Sequence, residues 1–379
     1  MSGDQPGAVR ASVIPDDQGA LVRWTPVGPV LVVTIDHPPV NALSSAVREG
    51  LMAAAERLDT EAALQAMVIR STGTVFIGGA DIREFSGPRR DPLLNVVCHR
   101  LEACTKPVVA AMQGAALGGG FEVALAAHYR VAAPSAEVAF PEVLLGVLPG
   151  AGGTQRAPRL CGAALALELM LTGRRLSAPE ALAAGLIDRV VDDPVAEAVA
   201  WAAALGASAT GPRRSRDGHA LASLGDHAAA LEAARTRVLR DQAHLVAPAQ
   251  IVACIDAALH LPFDEGATVE AAAFMTCLAS PQRAALVHLF FAERAVRASV
   301  AAGVDLEALG ARLRAALAAG DPAWDDATCK AMADIGHTLL ANGSAKTATD
   351  IDVASVRYAG FPRHRGGVLF DQDRRSAAA

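Results

Sequence analysis

The sequence lacks paired cysteines, a basic surplus and any long apolar run, and each absence narrows the class of protein. Its six cysteines, at 98, 104, 161, 254, 277 and 329, include no C-x-x-C pair. They read as reduced, mostly buried thiols of an intracellular protein, not as a disulfide or zinc framework. The net charge is −6, so the cationic excess that neutralises phosphates is missing and non-specific nucleic-acid binding is disfavoured. No window offers about 20 uninterrupted apolar residues, and no membrane span is indicated. The opening stretch MSGDQPGAVRASVIPDDQGA has neither a secretory apolar core nor an arginine-rich amphipathic pattern. A cytoplasmic location is expected. No repeat of 20–50 residues is evident.

What is present is a chain of 379 residues, 52% of them hydrophobic, enough for two or three domains and a sizeable core. After a flexible lead-in over residues 1–20, PVLVVTID, AMVIRS, PVVAAMQG and HYRVAA each give a strand signal. Helical stretches lie between them, the first capped at Ser44 or Ser45. Alternating strands and helices argue for an α/β core. After about Val190 the strand signals stop and alanine-rich helices follow, so the chemistry is expected within the first 190 residues.

The most informative window is GAALGGGFEVALA, residues 114–126. A strand runs into three glycines and then a helix, where free N–H groups can meet negative charge. It lacks the Lys-Ser/Thr ending of a P-loop, and its glycines do not fit G-x-G-x-x-G. A tight turn with close helix–strand packing competes with a binding role here. Glu122 stands one helical turn in, among apolar residues, and Glu142 stands alone in VAFPEVLLGVLPG. Two carboxylates in apolar settings suit acid–base work, because burial raises a carboxyl pKa and lets it hold a proton at neutral pH. In TVFIGGADIREF a strand ends at Gly78-Gly79-Ala80. The N–H groups of Ala80 and Gly119 would together form an oxyanion hole for a thioester carbonyl. Asp81 reads either as a catalytic acid or, more simply, as an N-cap.

Taken together, HPPVNAL, FIGGADIREF, KPVVAAMQGAALGGGFEVALAAHYRVAA, FPEVLLGVLPGAGGTQRAPRLCG and LTGRRLSAPEALAAGLIDRVV resemble the crotonase, or enoyl-CoA hydratase/isomerase, superfamily. The resemblance covers about residues 25–195. It implies an α/β fold: a spiral of ββα units followed by an all-helical C-terminal region. It implies that an acyl-CoA thioester binds with its carbonyl oxygen on Ala80 and Gly119. Glu122 would activate water for C3 and Glu142 would exchange the proton at C2. Gly78, Gly79, Asp81, Arg83, Gly118 and Gly150 would line the substrate, with Arg83 placed either at the CoA phosphates or free in solvent. The reaction implied is reversible syn hydration of a 2-trans-enoyl-CoA. The alternatives are Δ3-Δ2 isomerisation and a non-catalytic acyl-CoA scaffold.

Within that superfamily, residues 120–160 resemble the hydratase half of the multifunctional β-oxidation enzymes, and residues 263–294 resemble their linker helix. The NAD-binding dehydrogenase module expected next is absent; CKAMADIGHTLLANGSAKTATDIDVASVRYAGFPRHRGG resembles its closing helical segment. The expected domains are therefore 21–195 for the crotonase-like unit, 196–300 for a helical region with the linker helix, and 301–379 for the helical remnant. No NAD or metal is expected. CoA would enter only as part of the substrate, and a separate 3-hydroxyacyl-CoA dehydrogenase is a candidate partner. The tail itself is read as packing material, buried through Phe361 and Pro362, with arginines that hold backbone or carboxylate groups.

Overall fold

The structure, a computed structural model, describes residues 20–87, 90–208, 211–218, 221, 227–315, 317 and 324–378. The lead-in expected over residues 1–20 lies almost wholly outside them. Among the described residues ten strands form two sheets, one of six strands and one of four. In the larger, β1 (Val22–Val27) pairs antiparallel with β2 (Val30–Ile35). Then β3 (Ala66–Ser71), β5 (Val108–Met112), β7 (Tyr129–Ala132) and β10 (Arg189–Val190) add in parallel. The smaller holds β4 (Val75–Ile77), β6 (Ala115–Leu117), β8 (Glu137–Ala139) and β9 (Arg175–Ser177).

The topology explains the apolar runs. Parallel strands covered on both faces need apolar residues at every position, and every residue of β5 is buried. Each coil of the chain lays one strand on the large sheet, the next on the small sheet, and then a helix. Thus β3 and β4 precede α2 (Leu94–Glu102), and β5 and β6 precede α3 (Gly119–Ala126). This ββα spiral is a geometric repeat; its units share a pattern of apolar strands but no residue period, which hides it from a search for sequence repeats. The Phe121 and Phe140 rings meet at 5.0 Å in the main core. On the far face of the large sheet, α7 (Pro194–Gly206) packs Ala198 and Ala202 against Val68, Val109 and Val131.

The capping expectation needs correction. Ser44 is the N-cap of α1 (Ser45–Thr60), yet its hydroxyl makes no capping bond; the Ser45 N–H donates instead to Glu84 Oε1 at 3.1 Å. Between these elements, α4 (Gly153–Cys161), α5 (Ala163–Thr172) and α6 (Ala178–Ala183) close the spiral. Among the described residues no strand follows Val190. Behind it come α8 (His227–Asp241) and α9 (Val246–His260).

The single linker helix expected over 263–294 is two helices, α10 (Phe263–Ala279) and α11 (Pro281–Ala301). Pro281 cannot donate to the preceding turn and pushes Ser280 into extended backbone, while Ser280 caps the new helix through the Gln282 N–H. One face of α11 (Leu289, Ala292, Val296) then builds a second core with α12 (Leu306–Arg314), α13 (Asp326–Ala341), α14 (Ala348–Tyr358) and α15 (Val368–Ala378). The tail packs here: Phe361 is buried, although Pro362 is only half so. Arg363 forks onto Glu293, and Arg365 engages Asp371 and the Trp324 carbonyl. All six cysteines are free and buried. Among the described residues no helix is long and apolar enough to cross a membrane.

Candidate active site

The small sheet and the helix that follows it bring two backbone segments together. β4 ends at Gly78-Gly79-Ala80, and β6 ends just before Gly118 and the start of α3. Gly118 has φ +52 and ψ −124, a conformation that side-chain-bearing residues avoid, and a β-carbon there would sit 2.4 Å from Glu142 Oε1. Ala80 bridges Leu43 through the Leu43 N–H, which donates to the Gly79 carbonyl at 2.9 Å. That register leaves the Ala80 N–H outside the bridge. Gly119 is the first residue of α3, where N–H groups have no intrahelical acceptor. A β-carbon on Gly119 would lie 3.3 Å from Ala80 N, so the two expected oxyanion-hole residues are neighbours.

Both residues line a cleft together with Glu122, Glu142, Gly78, Gly79, Asp81, Gly118 and Gly150. Leu94, Leu117, Leu145, Val147, Leu148, Phe274 and Leu278 give the cleft an apolar side. An apolar cavity with a few convergent polar groups is the usual form of a small-molecule site. Arg83 is not among its lining residues; its side chain is 73% exposed and forks onto Asp81 at 2.9 and 2.8 Å. Asp81 also accepts the Arg83 N–H at 3.1 Å as an N-cap, and the Arg83 side chain holds its carboxyl below the usual carboxylate range. The structure therefore favours the N-cap for Asp81: a carboxylate held ionised does not serve as a proton donor.

The two glutamates differ in setting. Glu122 Oε1 accepts the N–H groups of Ala151 at 2.7 Å and Gly153 at 2.8 Å. Burial pushes its carboxyl up to about 7 against those two bonds. Glu122 also lines the cleft. Glu142 sits in a 3-10 turn, Pro141–Leu145, and its Oε2 is shut off from solvent with no hydrogen-bond partner among the described residues. Its carboxyl stands well above the ordinary range, first from burial and then from the charge of Glu122. Both carboxyls are thus raised, and their mutual repulsion disfavours the state in which both are ionised.

Two further charged groups escaped the sequence reading, and one lies far beyond residue 190. Glu270 of α10 is buried and accepts the N–H groups of Gly152 at 2.6 Å and Thr154 at 3.0 Å. Phe274 and Leu278 of α10 line the cleft, so its apolar wall extends beyond the first 190 residues, where the chemistry is expected. The available signal was a lone carboxylate facing Gly266, Ala273 and Cys277 on an otherwise apolar stripe. The other group is Arg156 of α4, fully buried and bonded to Glu102 at 2.7 Å and to the Ala151 carbonyl at 2.9 Å. Removing one partner of such a pair strands the other charge. Arg156→Met should cost about 3–5 kcal/mol, seen as a lower urea midpoint at unchanged slope.

Comparison with known proteins agrees with this geometry. The enoyl-CoA hydratase/isomerase family profile matches residues 27–216. A probable enoyl-CoA hydratase of Bacillus subtilis is 43% identical over 185 residues, covering 47% of this chain and 71% of that protein. The chain belongs to the enoyl-CoA hydratase/isomerase family, with the crotonase fold. A peroxisomal bifunctional enzyme of Danio rerio is 45% identical over 267 residues, 70% of this chain. The match spans only 37% of that relative's length. Among solved structures, an enoyl-CoA hydratase/isomerase from Pseudoalteromonas atlantica superposes with TM-score 0.53 at 26% identity, covering 72% of this chain and 96% of its own. A carnitinyl-CoA hydratase from Mycobacterium avium gives 0.52 at 28%, covering 69% and 91%.

Proposed function

We propose that the protein is an enoyl-CoA hydratase acting by reversible syn addition of water to a 2-trans-enoyl-CoA, within fatty-acid β-oxidation or a related acyl-CoA pathway. The observation that carries this reading is the pair of dissimilar glutamates, Glu122 and Glu142, beside the Ala80 and Gly119 N–H groups. The thioester oxygen rests on the two N–H groups, which stabilise it as it gains negative charge. Ionised Glu122 takes a proton from the water that bonds to C3, and neutral Glu142 gives its proton to C2. The product is a 3-hydroxyacyl-CoA, and exchange with solvent returns the proton from Glu122 to Glu142. Run in deuterium oxide, the reaction should yield product with deuterium at C2 on the same face as the new hydroxyl. Opposite faces would reject this two-glutamate geometry.

The chemistry calls for acid and base alone, so we propose that neither a metal nor NAD takes part and that CoA enters only with the substrate. Hydration needs Glu122 charged and Glu142 neutral. On that basis kcat/KM against pH should be bell-shaped, rising through about 7 as Glu122 ionises and falling at higher pH as Glu142 does. A flat profile from pH 6 to 9 would count against these roles. A second activity is favoured by the place of Glu142 in the cleft wall. Glu142 alone can carry a proton between C2 and C4 of a 3-enoyl-CoA, and Glu122→Gln should then spare isomerisation. A cytoplasmic location, and a separate 3-hydroxyacyl-CoA dehydrogenase that consumes the product, complete the proposal.

A further inference from the structure

The turn beneath Glu122 divides its N–H groups between two carboxylates. Ala151 and Gly153 donate to Glu122, whereas Gly152 and Thr154 donate to Glu270. The Thr154 hydroxyl adds a third bond to Glu270 at 2.5 Å, and Arg156 ties down the Ala151 carbonyl. Gly152 stands at φ +95, the left-handed bend that lets successive N–H groups face opposite ways. We infer that Glu270 is a positioning residue for Glu122: from α10 it holds the 151–154 turn in the arrangement that aims the Ala151 and Gly153 N–H groups at Glu122 Oε1.

This assignment rests on the hydratase reading for its effect on turnover, though not for its geometry. A buried carboxylate is costly, and a neutral hydroxyl or amide oxygen would accept from a turn more cheaply. Glu270 lies one helical turn before Phe274 and two before Leu278, so one face of α10 both walls the cleft and braces its base. The helical region behind the spiral is therefore part of the catalytic apparatus. The charged and titratable groups around Glu270 are Glu122 on α3, Glu142 on its 3-10 turn, and Arg156 on α4 paired with Glu102 on α2. Cys98, Cys254 and Cys277 complete the set, all with thiols pushed up by burial.

Glu270→Gln and the milder Thr154→Val test the inference in the full-length protein. In Glu270→Gln, kcat with crotonyl-CoA should fall by about 10–10², with KM changed less than about twofold. Thr154→Val, which keeps the Glu270 carboxyl in place, should move the Glu122 limb of the pH profile up as the Ala151 and Gly153 bonds weaken. Hydrogen exchange gives a readout independent of turnover: the Ala151 and Gly153 amides should lose protection in both variants while circular dichroism stays unchanged. Wild-type kinetics, profile and protection in both variants would overturn the inference, as would a uniform fall in rate that only tracks lost folded protein. If the wild type hydrates nothing, the hydratase reading fails, and the exchange data still decide the role of Glu270.

Discussion

Glu142→Gln should cut hydration of a 2-trans-enoyl-CoA by ~10²–10⁴-fold, the span usual for a positioned acid or base, and Glu122→Gln should do the same. An amide at 142 has no acidic proton for C2, and an amide at 122 cannot take one from water. In the proposed mechanism substrate binding rests on the backbone N–H pair and the apolar wall, so KM should move little and the loss should fall on kcat. Stability should move the other way. The folded-state pKa of Glu122 is about 7, raised from an ordinary 4.5. A carboxyl raised in this way stabilises fully below its unfolded value, and the contribution is lost as pH climbs through the folded value. The wild type should therefore melt at lower temperature at pH 8 than at pH 5.5, and Glu122→Gln should flatten that dependence. An inactive variant that is more stable at pH 8 separates lost chemistry from lost fold. A variant that is inactive and less stable at both pH values would not support the assignment.

Gly119→Ala is the second large effect. The φ of Gly119 lies outside the left-handed range, so alanine suits the backbone. Its methyl would stand 3.3 Å from Ala80 N and 2.6 Å from Leu94 Cδ2, a flexible side-chain end that can withdraw. The methyl occupies the space where the thioester oxygen must sit between the two donors. Losing one donor of such a site typically costs ~10²–10³ in kcat, and a blocked site should do at least that. Thermal unfolding and circular dichroism should stay near wild type. Near-normal hydration by a folded Gly119→Ala protein would place the thioester oxygen elsewhere.

Much of the site was legible because it is local. The three glycines, Glu122, and the Gly-Gly-Ala ending of β4 each lie at a strand end or helix start, where sequence spacing fixes geometry. Glu142 was legible as a carboxylate out of place among apolar residues. The ββα spiral was readable only through resemblance, since its coils share a burial pattern and no residue period. Glu270 was out of reach for a physical reason: it meets the 151–154 turn across more than a hundred residues, and only tertiary packing shows which glutamate of the helix faces inward. Arg156 of α4 and Glu102 of α2 pair in the same way, 54 residues apart. Ser44 shows the reverse failure, a correct N-cap position whose bond is made by Glu84 instead.

The most direct test is the ultraviolet absorbance of the conjugated enoyl thioester, followed with crotonyl-, hexenoyl- and decenoyl-CoA in turn. The expected result is a loss of absorbance with at least one chain length, abolished in Glu142→Gln and Glu122→Gln. Folded wild-type protein that leaves all three unchanged, or glutamine variants as fast as wild type, would contradict the assignment of Glu122 and Glu142 as the base and acid of a hydratase.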